Sequence, residues 1–383
     1  MNWPTIILAT SLLLLVYTWL GYPATLWLLR SALAARTIRE RCAPSFSIIV
    51  AAYNEAAHIA SKLQNCLDLE YPSERLQIIV ASDGSTDATD AIAQQFAARD
   101  TRVRLVRCQG RAGKSAAQNL AVECATGDVL LFTDAETKAR PDLLRLIAED
   151  FADPRVGLVA PVARFGRFED AVSLGQGSYW RYELFLRQLE SDIGILATAS
   201  GAALAVRRKL YRPLPPQYGD DCLIPLDVCR QGFRVLQDPR AMVTDEMPHS
   251  IEGELRARIR MTARNWSGIL SRPAVLNPFR FPGVAWGLIS HKFSRWLTPF
   301  LLAMALIINC WMAWHGELLS LFALQMFFYV AATIGWRRTH GPRCEPVFAY
   351  PFAFCLANLG FLLGVLKSLR GQSIVAYKGT PAV

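Results

Sequence analysis

Two carboxylates spaced one apart, Asp134 and Glu136, close the apolar run Val129-Leu-Leu-Phe-Thr133. Such a run reads as a buried strand, and open α/β sheets bind ligands at the carboxyl ends of their strands. Paired carboxylates there suit a hard divalent cation that also grips a ligand's phosphates. Alone the pattern is weak, since acidic residues after a strand more often form turns or cap helices. A second acidic pair, Asp220-Asp221, follows Gly219 at a helix start. Adjacent side chains point in different directions there, so one carboxylate can cap while the other faces a ligand. Lys114, in Gly113-Lys114-Ser115, also opens a helix, where a cation and free backbone N–H groups meet phosphate. The glycine spacing before it is not that of a P-loop, and no Gly-x-Gly-x-x-Gly follows the first strand.

Two further polar junctions belong to the same edge. Ala51-Ala-Tyr53-Asn54-Glu55 offers the shape and hydrogen bonds that a base or ribose needs, although Asn54 as the cap of the next helix is the plainer reading. In Ser82-Asp83-Gly84-Ser85-Thr86-Asp87, Ser85 or Thr86 caps a helix and Asp87 suits its first turn. Asp83 is then left to accept from a base imide.

The elements that must position these residues alternate in kind. Strands are expected over 46–52, 76–81, 103–106 and 129–133, with helices over 55–67, to 98, and over 114–124. Beyond Pro141 come a helix to Phe151, a strand over 156–163, a long aromatic helix over 169–190, a small-residue turn and strand over 199–207, a helix from Gly219 to about Gln231, and a strand over 232–237. Continuous apolar strands alternating with helices predict a mainly parallel α/β sheet covered on both faces. Tyr179, Trp180, Tyr182 and Phe185 of the long helix suit either sugar stacking or core packing.

Of the 383 residues 52% are hydrophobic, too many for a purely soluble enzyme, and long apolar runs at both ends carry the excess. Ile6 to Leu29 is long enough to span a bilayer and lacks the basic start of a signal peptide. Arg30, Arg36, Arg39 and Arg41 follow it, so the positive-inside rule puts the α/β part in the cytoplasm. Two basic stretches, 254–270 and 282–296, read as helices lying on the membrane surface. Apolar runs over 297–314, 318–336 and 347–366 follow, the last containing Pro351. Three full spans put the C-terminus outside whereas Lys367, Arg370 and Lys378 favour the inside, and both topologies stay open. The net charge of +9 lies near the apolar runs, which fits an anionic membrane face and not nucleic acid. Nine scattered cysteines with no Cys-x-x-Cys pair argue for reduced thiols.

Taken in order, Ala51-Ala-Tyr-Asn-Glu55, Ser82-Asp-Gly-Ser-Thr-Asp87, Gly113-Lys-Ser-Ala-Ala-Gln-Asn119, Phe132-Thr-Asp-Ala-Glu136, Ser200-Gly-Ala202 and Gly219-Asp-Asp221 resemble the motifs of the membrane-bound family-2 glycosyltransferases. That group contains the cellulose, chitin and hyaluronan synthases. The resemblance covers roughly 44–296 and implies a GT-A type domain at 44–250. Around it are expected a membrane helix at 1–30, interfacial helices at 251–296, membrane helices at 297–366 and a tail at 367–383. It further implies that Ala51, Tyr53, Glu55, Asp83, Lys114 and Asp134 bind a UDP-sugar, and that Asp134 and Glu136 hold Mg²⁺ or Mn²⁺. Ser200, Gly201 and Asp220 lie on the acceptor side, and Asp221 is the general base of an inverting transfer to a glycan or lipid-linked acceptor at the inner membrane. Partner subunits of a glycan export complex are compatible with it.

The chain departs from the family's Gln-x-x-Arg-Trp at Met261-Thr-Ala-Arg264-Asn265-Trp266. Arg264 remains a diphosphate contact, or a lipid-headgroup contact. Trp266, the acceptor-side tryptophan, falls one residue late, ~100° around the helix. His249 is a further candidate metal ligand or an ordinary loop residue. A non-catalytic nucleotide-sugar-sensing or assembly subunit and a single-addition glycolipid-forming transferase are the competing readings.

Overall fold

A computed structural model describes residues 3–165, 171–245, 250–338 and 345–371. Strands β1 (Phe46–Ala52), β2 (Leu76–Ser82), β3 (Val103–Arg107), β4 (Val129–Asp134), β5 (Lys138–Ala139), β6 (Val156–Phe165), β7 (Ala203–Arg207) and β8 (Arg234–Asp245) form one sheet. Its order is β3-β2-β1-β4-β7-β6-β8-β5. The first four strands run parallel, β7 runs against both its neighbours, and β6 and β8 are parallel again.

Side-chain alternation sorts the strands' apolar residues into two layers. Ile49, Ile79, Leu130 and Phe132 face one core, which helices α4 (Lys114–Glu123) and α7 (Asp220–Arg230) cover. Ile48, Val50, Ile78, Val80 and Leu131 face the other, against α2 (Ile59–Leu67) and α5 (Leu143–Asp150). Burying each such side chain stabilises by about 1.5–3 kcal/mol, against about 0–1 kcal/mol for a surface ion pair. Burial therefore sets the sheet.

Register then decides what meets at the rim. Ala51 is level with Ala81 and with Asp134, so the first, second and fourth junctions end together. Because β7 is antiparallel to β4, with Thr133 opposite Ala203, the Ser200-Gly-Ala202 turn arrives at the same edge. The Ala199 N–H donates to the Asp221 carbonyl at 3.0 Å, which docks the start of α7 beside that turn.

Several expected boundaries shift. The helix after β1 begins at Ile59, not Glu55, because Asn54 adopts φ +56° and does not cap it. The Asn54 carboxamide oxygen instead accepts from the Thr86 N–H at 2.8 Å. Helix α3 (Thr89–Arg99) starts later than Ser85 or Thr86 could cap, and Asp87 accepts from the Thr89 N–H at 3.0 Å. Strand β8 runs to Asp245 because it pairs with β6 along that length, with Phe165 level with Asp245, and β5 adds a short edge partner at Val243 and Thr244. The stretch read as a surface helix, 282–296, and the apolar run after it form a single helix, α9 (Pro282–Trp314). His249 and Lys378 lie outside the described residues.

Four helices among the described residues are long and apolar enough to cross a membrane: α1 (Trp3–Leu33), α9, α10 (Leu319–Arg338) and α11 (Pro346–Leu369). Helices α1 and α9 each contain a π-helical turn, Tyr17–Gly21 and Leu288–Phe293, and these turns meet. Tyr17 Oη lies 2.8 Å from Ser290 Oγ and accepts from Trp286 Nε1 at 3.1 Å. Glu183 on α6 (Ala171–Asp192) then pairs with Lys292 at 2.7 Å and Arg295 at 2.5 Å of α9. Glu190 accepts from Tyr22 Oη of α1 at 2.8 Å. Helix α8 (Ile251–Leu270) is roofed by α11 through Gly360 and Gly364, which lie against Arg258 and Thr262 as closely packed small residues.

Gly84 has φ +69°, and a Cβ there would sit 2.7 Å from the Gly110 carbonyl group. Gly84→Ala is expected to destabilise by about 1–3 kcal/mol, read as a lowered thermal midpoint in detergent. An unchanged midpoint would show that the 82–87 and 110–113 loops are not locked together.

Candidate functional site

Helix α4 spends one face on the segment that leads into Asp220 and Asp221. Lys114, Ser115, Gln118 and Asn119 stand at i, i+1, i+4 and i+5, a single stripe. Ser115 Oγ donates to the Tyr218 carbonyl at 3.0 Å, and Gln118 Nε2 to Asp220 Oδ2 at 2.7 Å. Asn119 Nδ2 donates to the Leu214 carbonyl at 2.8 Å, while its oxygen accepts from the Leu214 N–H at 2.8 Å and Tyr211 Oη at 2.6 Å. Lys114 Nζ lies 2.7 Å from Asp134 and 3.1 Å from Asp220. The carboxylate that ends β4 and the one that opens α7 therefore share one ammonium. Ser115, Gln118 and Asn119 stand in the Gly113–Asn119 motif but had no role from sequence; the polar stripe was the signal.

Electrostatics separate the two adjacent aspartates. Burial works against a charge on Asp220, but Lys114, the Gln118 amide and Arg264 outweigh it and hold its pKa below the usual aspartate value. Burial and the neighbouring Asp220 charge push Asp221 the other way, above that value. Environments that drive paired groups apart in this way assign one as a fixed charge and the other as a proton acceptor. Burial also opposes the charge on Lys114, yet Asp134 and Asp220 together raise its pKa above the ordinary lysine value.

Asp221 stands between two glycines. A Cβ on Gly201 would make ordinary van der Waals contact with Asp221, at 3.9 Å from Oδ2, whereas a Cβ on Gly219 would run into the Asp221 carboxylate. Arg264 reaches in from α8, donating to the Tyr218 carbonyl at 2.5 Å, and its buried Nε has no partner. An unpaired guanidinium N–H is chemically able to bind an anionic oxygen. Trp266 is committed elsewhere. Its ring packs edge-on to Phe293 at 5.0 Å and lies 5.9 Å from Trp296, on the side of α8 that faces α9. Met261 is exposed.

On the other side of Asp134, Glu136 lies with Glu55 and His58, the ligating atoms of the three within 4.8 Å of one another. His58 Nδ1 is 3.0 Å from Glu55 Oε2. Two carboxylates and an imidazole fit a divalent cation such as Mn²⁺. Burial raises the Glu55 pKa, His58 offsets part of that, and the Asp134 and Asp87 charges add to it slightly. Sequence reading missed His58, which stands at i+3 from Glu55. Asp83 is buried and accepts from the Ala112 and Gly113 N–H groups at 2.7 and 2.8 Å, so it shapes the loop that delivers Lys114. The Tyr53 ring is covered by the Arg111 guanidinium at 4.0 Å, another residue the sequence did not flag. Tyr179 and Tyr182, with Trp19 and residues of α11, line a cavity of about 180 Å³ near the membrane helices. Phe185 is exposed, and Trp180 Nε1 donates to the Ala163 carbonyl at 3.0 Å.

Lys114→Met leaves Asp220 buried without its cation, and breaking such a pair costs about 3–5 kcal/mol. Asp220, with its lowered pKa, contributes stability that is present above the unfolded aspartate pKa and lost as pH falls. The deficit of the variant in denaturant unfolding should therefore be largest near neutral pH and shrink toward acid. A pH-independent deficit would show that the pair carries no such linkage.

The family model for glycosyl transferase family 2 matches residues 47–214. An N-acetylglucosaminyltransferase of Rhizobium meliloti (strain 1021) is 27% identical over 245 residues, 60% of this chain and 57% of the relative. A beta-monoglucosyldiacylglycerol synthase of Synechocystis sp. is 30% identical over 171 residues, 43% of this chain and 35% of the relative. The chain thus spans less than two thirds of the length of these relatives. The mannosyltransferase PcManGT from Pyrobaculum calidifontis, solved in complex with GDP-Man and Mn²⁺, superimposes with a TM-score of 0.72 at 22% identity, covering 96% of this chain and all of that one. Sheet order, rim geometry and these matches agree that the chain carries a glycosyl transferase family 2 domain of the GT-A fold, joined to helices long and apolar enough to cross a membrane.

Proposed function

We propose that this protein is an inverting glycosyltransferase that moves a sugar from a UDP-sugar to an acceptor hydroxyl held at the cytoplasmic face of the inner membrane. The observation that carries the reading is the single Lys114 ammonium shared by Asp134 and Asp220. Donor-side and acceptor-side motifs that are far apart in the chain meet there.

In this reading Ala51, Tyr53, Glu55 and Asp83 form the nucleotide end of the site, with Asp83 acting through the loop it ties down. Lys114 and Arg264 neutralise the diphosphate oxygens. Asp134 and Glu136, with Glu55 and His58 beside Glu136, hold Mg²⁺ or Mn²⁺, which when bound stabilises the charge developing on the leaving diphosphate. Ser200, Gly201 and Asp220 border the acceptor. Asp221 takes the proton of the acceptor hydroxyl as its oxygen bonds to the anomeric carbon, while the bond to UDP breaks and the electron pair leaves with the diphosphate. Its raised pKa makes Asp221 a better base than an ordinary aspartate. The arginines after α1 support a cytoplasmic catalytic domain.

The relatives named N-acetylglucosaminyltransferase support an N-acetylhexosamine donor and a glycan acceptor. Those named beta-monoglucosyldiacylglycerol synthase, together with Met261 and the committed Trp266, favour a second reading: one sugar added to a lipid. Product length separates the two.

A panel of nucleotide-sugars with Mg²⁺ or Mn²⁺ is expected to give UDP release by the purified chain, and Asp221→Asn should lower turnover about 10²–10⁴-fold. No turnover with any donor, and a cellular glycan profile unchanged by Asp221→Asn, would sink the enzyme reading. Gly219→Ala should cut kcat with the thermal midpoint nearly unchanged, because the added methyl displaces only the Asp221 carboxylate. The acid limb of the kcat/KM profile follows Asp221, with activity rising as pH increases through its pKa. Asp220→Asn removes the neighbouring charge and should move that limb to lower pH.

A further inference from the structure

Helix α2 turns one face to the loop that carries Asp134 and Glu136. His58, immediately before the helix, Lys62 and Asn65 recur at i, i+4 and i+7, and all three meet that loop or its flank. Lys62 is only 2% exposed. Burying an ammonium is costly unless its donors are matched, and an apolar side chain would fill the same volume more cheaply. The Lys62 donors are matched, at chosen places. Nζ donates to Thr133 Oγ1 at 2.9 Å and to the Thr137 carbonyl at 2.5 Å. These acceptors bracket Asp134-Ala135-Glu136 on either side.

The hydrogen bonds continue outward. Thr133 Oγ1 donates onward to the Ala202 carbonyl at 3.0 Å, the last residue of the acceptor-side turn. Asn65 exchanges two hydrogen bonds with the backbone of Ala139, at 2.9 and 2.8 Å, and so holds the far end of the same loop. Burial pulls the Lys62 pKa down, while the charges of Asp134 and Asp245 favour the ammonium.

We propose that Lys62 is a positioning residue for the divalent-cation site, fixing the chain between Thr133 and Thr137 so that Asp134 and Glu136 face one cation, and coupling that loop through Thr133 to the acceptor-side turn. This rests on the reading of Asp134 and Glu136 as cation ligands. A charge alone would act in the opposite sense, since an ammonium near the site repels a second cation. The direction of the effect on metal affinity therefore separates positioning from simple charge compensation.

The test is Mn²⁺ titration of the full chain in detergent, without donor, following free Mn²⁺ by electron paramagnetic resonance. Lys62→Met keeps the length and removes the donors, and its Mn²⁺ Kd is expected to rise about tenfold, equivalent to ~1.4 kcal/mol. Thr133→Val removes both the Lys62–Thr133 and the Thr133–Ala202 hydrogen bonds and leaves the Lys62–Thr137 bond. It is expected to raise the Mn²⁺ Kd about threefold, less than Lys62→Met does, and the acceptor KM about fivefold. Lys62→Met binding Mn²⁺ as tightly as wild type, or more tightly, overturns the proposal. If Lys62→Met does not fold, Thr133→Val decides: a raised Mn²⁺ Kd together with a raised acceptor KM supports the proposal, and either one left unchanged overturns it. A wild-type chain that binds no Mn²⁺ overturns instead the cation reading on which the proposal rests.

Discussion

The contact on which the site depends is the Lys114 ammonium held between Asp134 and Asp220. One carboxylate belongs to the end of a central strand and the other to the start of a helix on the far side of β7. Neither buried Asp220 nor partly buried Lys114 would be tolerable alone, because an unpaired charge in that environment costs more than the pair does. Their mutual need draws α4, β4 and α7 to one point. Ser115, Gln118 and Asn119 then fix the angle at which the acidic pair is presented. The charges of Lys114, Asp134 and Asp220 are thus balanced against one another within the site.

The membrane helices bear on the same point from above. Arg264 arrives on α8, whose position is set by close packing against Gly360 and Gly364 of α11 and by the pairing of Ser267 with Ser368 at 2.6 Å. The buried acids of α6 join α1 and α9 to the domain. Burial works against Glu183's charge, yet Lys292, His291, Arg187 and Arg295 together hold its pKa well below the ordinary glutamate value. Such a multiply satisfied acid is a rigid joint. The apolar helices and the α/β domain thus hold fixed relative positions at this joint. On the opposite flank, α2 steadies the carboxylate loop from below through Lys62 and Asn65.

Much of the domain was legible in the chain because its strands are short continuous apolar runs and its helices follow them at regular intervals. The rim motifs were legible because strand ends in such a sheet fall on one edge. The errors have specific causes. Asn54 reads as a helix cap, but its left-handed backbone turns it toward Thr86. Strand β8 extends past Gln237 because, beyond an irregularity in register, it pairs again with β6 from Val162 and Met242 onward, and no local period reports that pairing. The surface helix at 282–296 and the next apolar run share one axis through a π turn, and amphipathic pattern alone does not report that continuity.

From sequence alone came the alternating α/β order, the residue types at each junction and the apolar segments, because all of these are local: they depend on periodicity and on neighbours a few residues away. The tertiary structure decided which carboxylate shares Lys114, that His58 joins Glu136, that Trp266 turns toward α9, and that Lys62 lies beneath the loop carrying Asp134 and Glu136. Those facts depend on strand register, on the reversed direction of β7 and on helix rotation. They are fixed only when distant segments compete to bury the same apolar surface, and no window of neighbouring residues contains that competition.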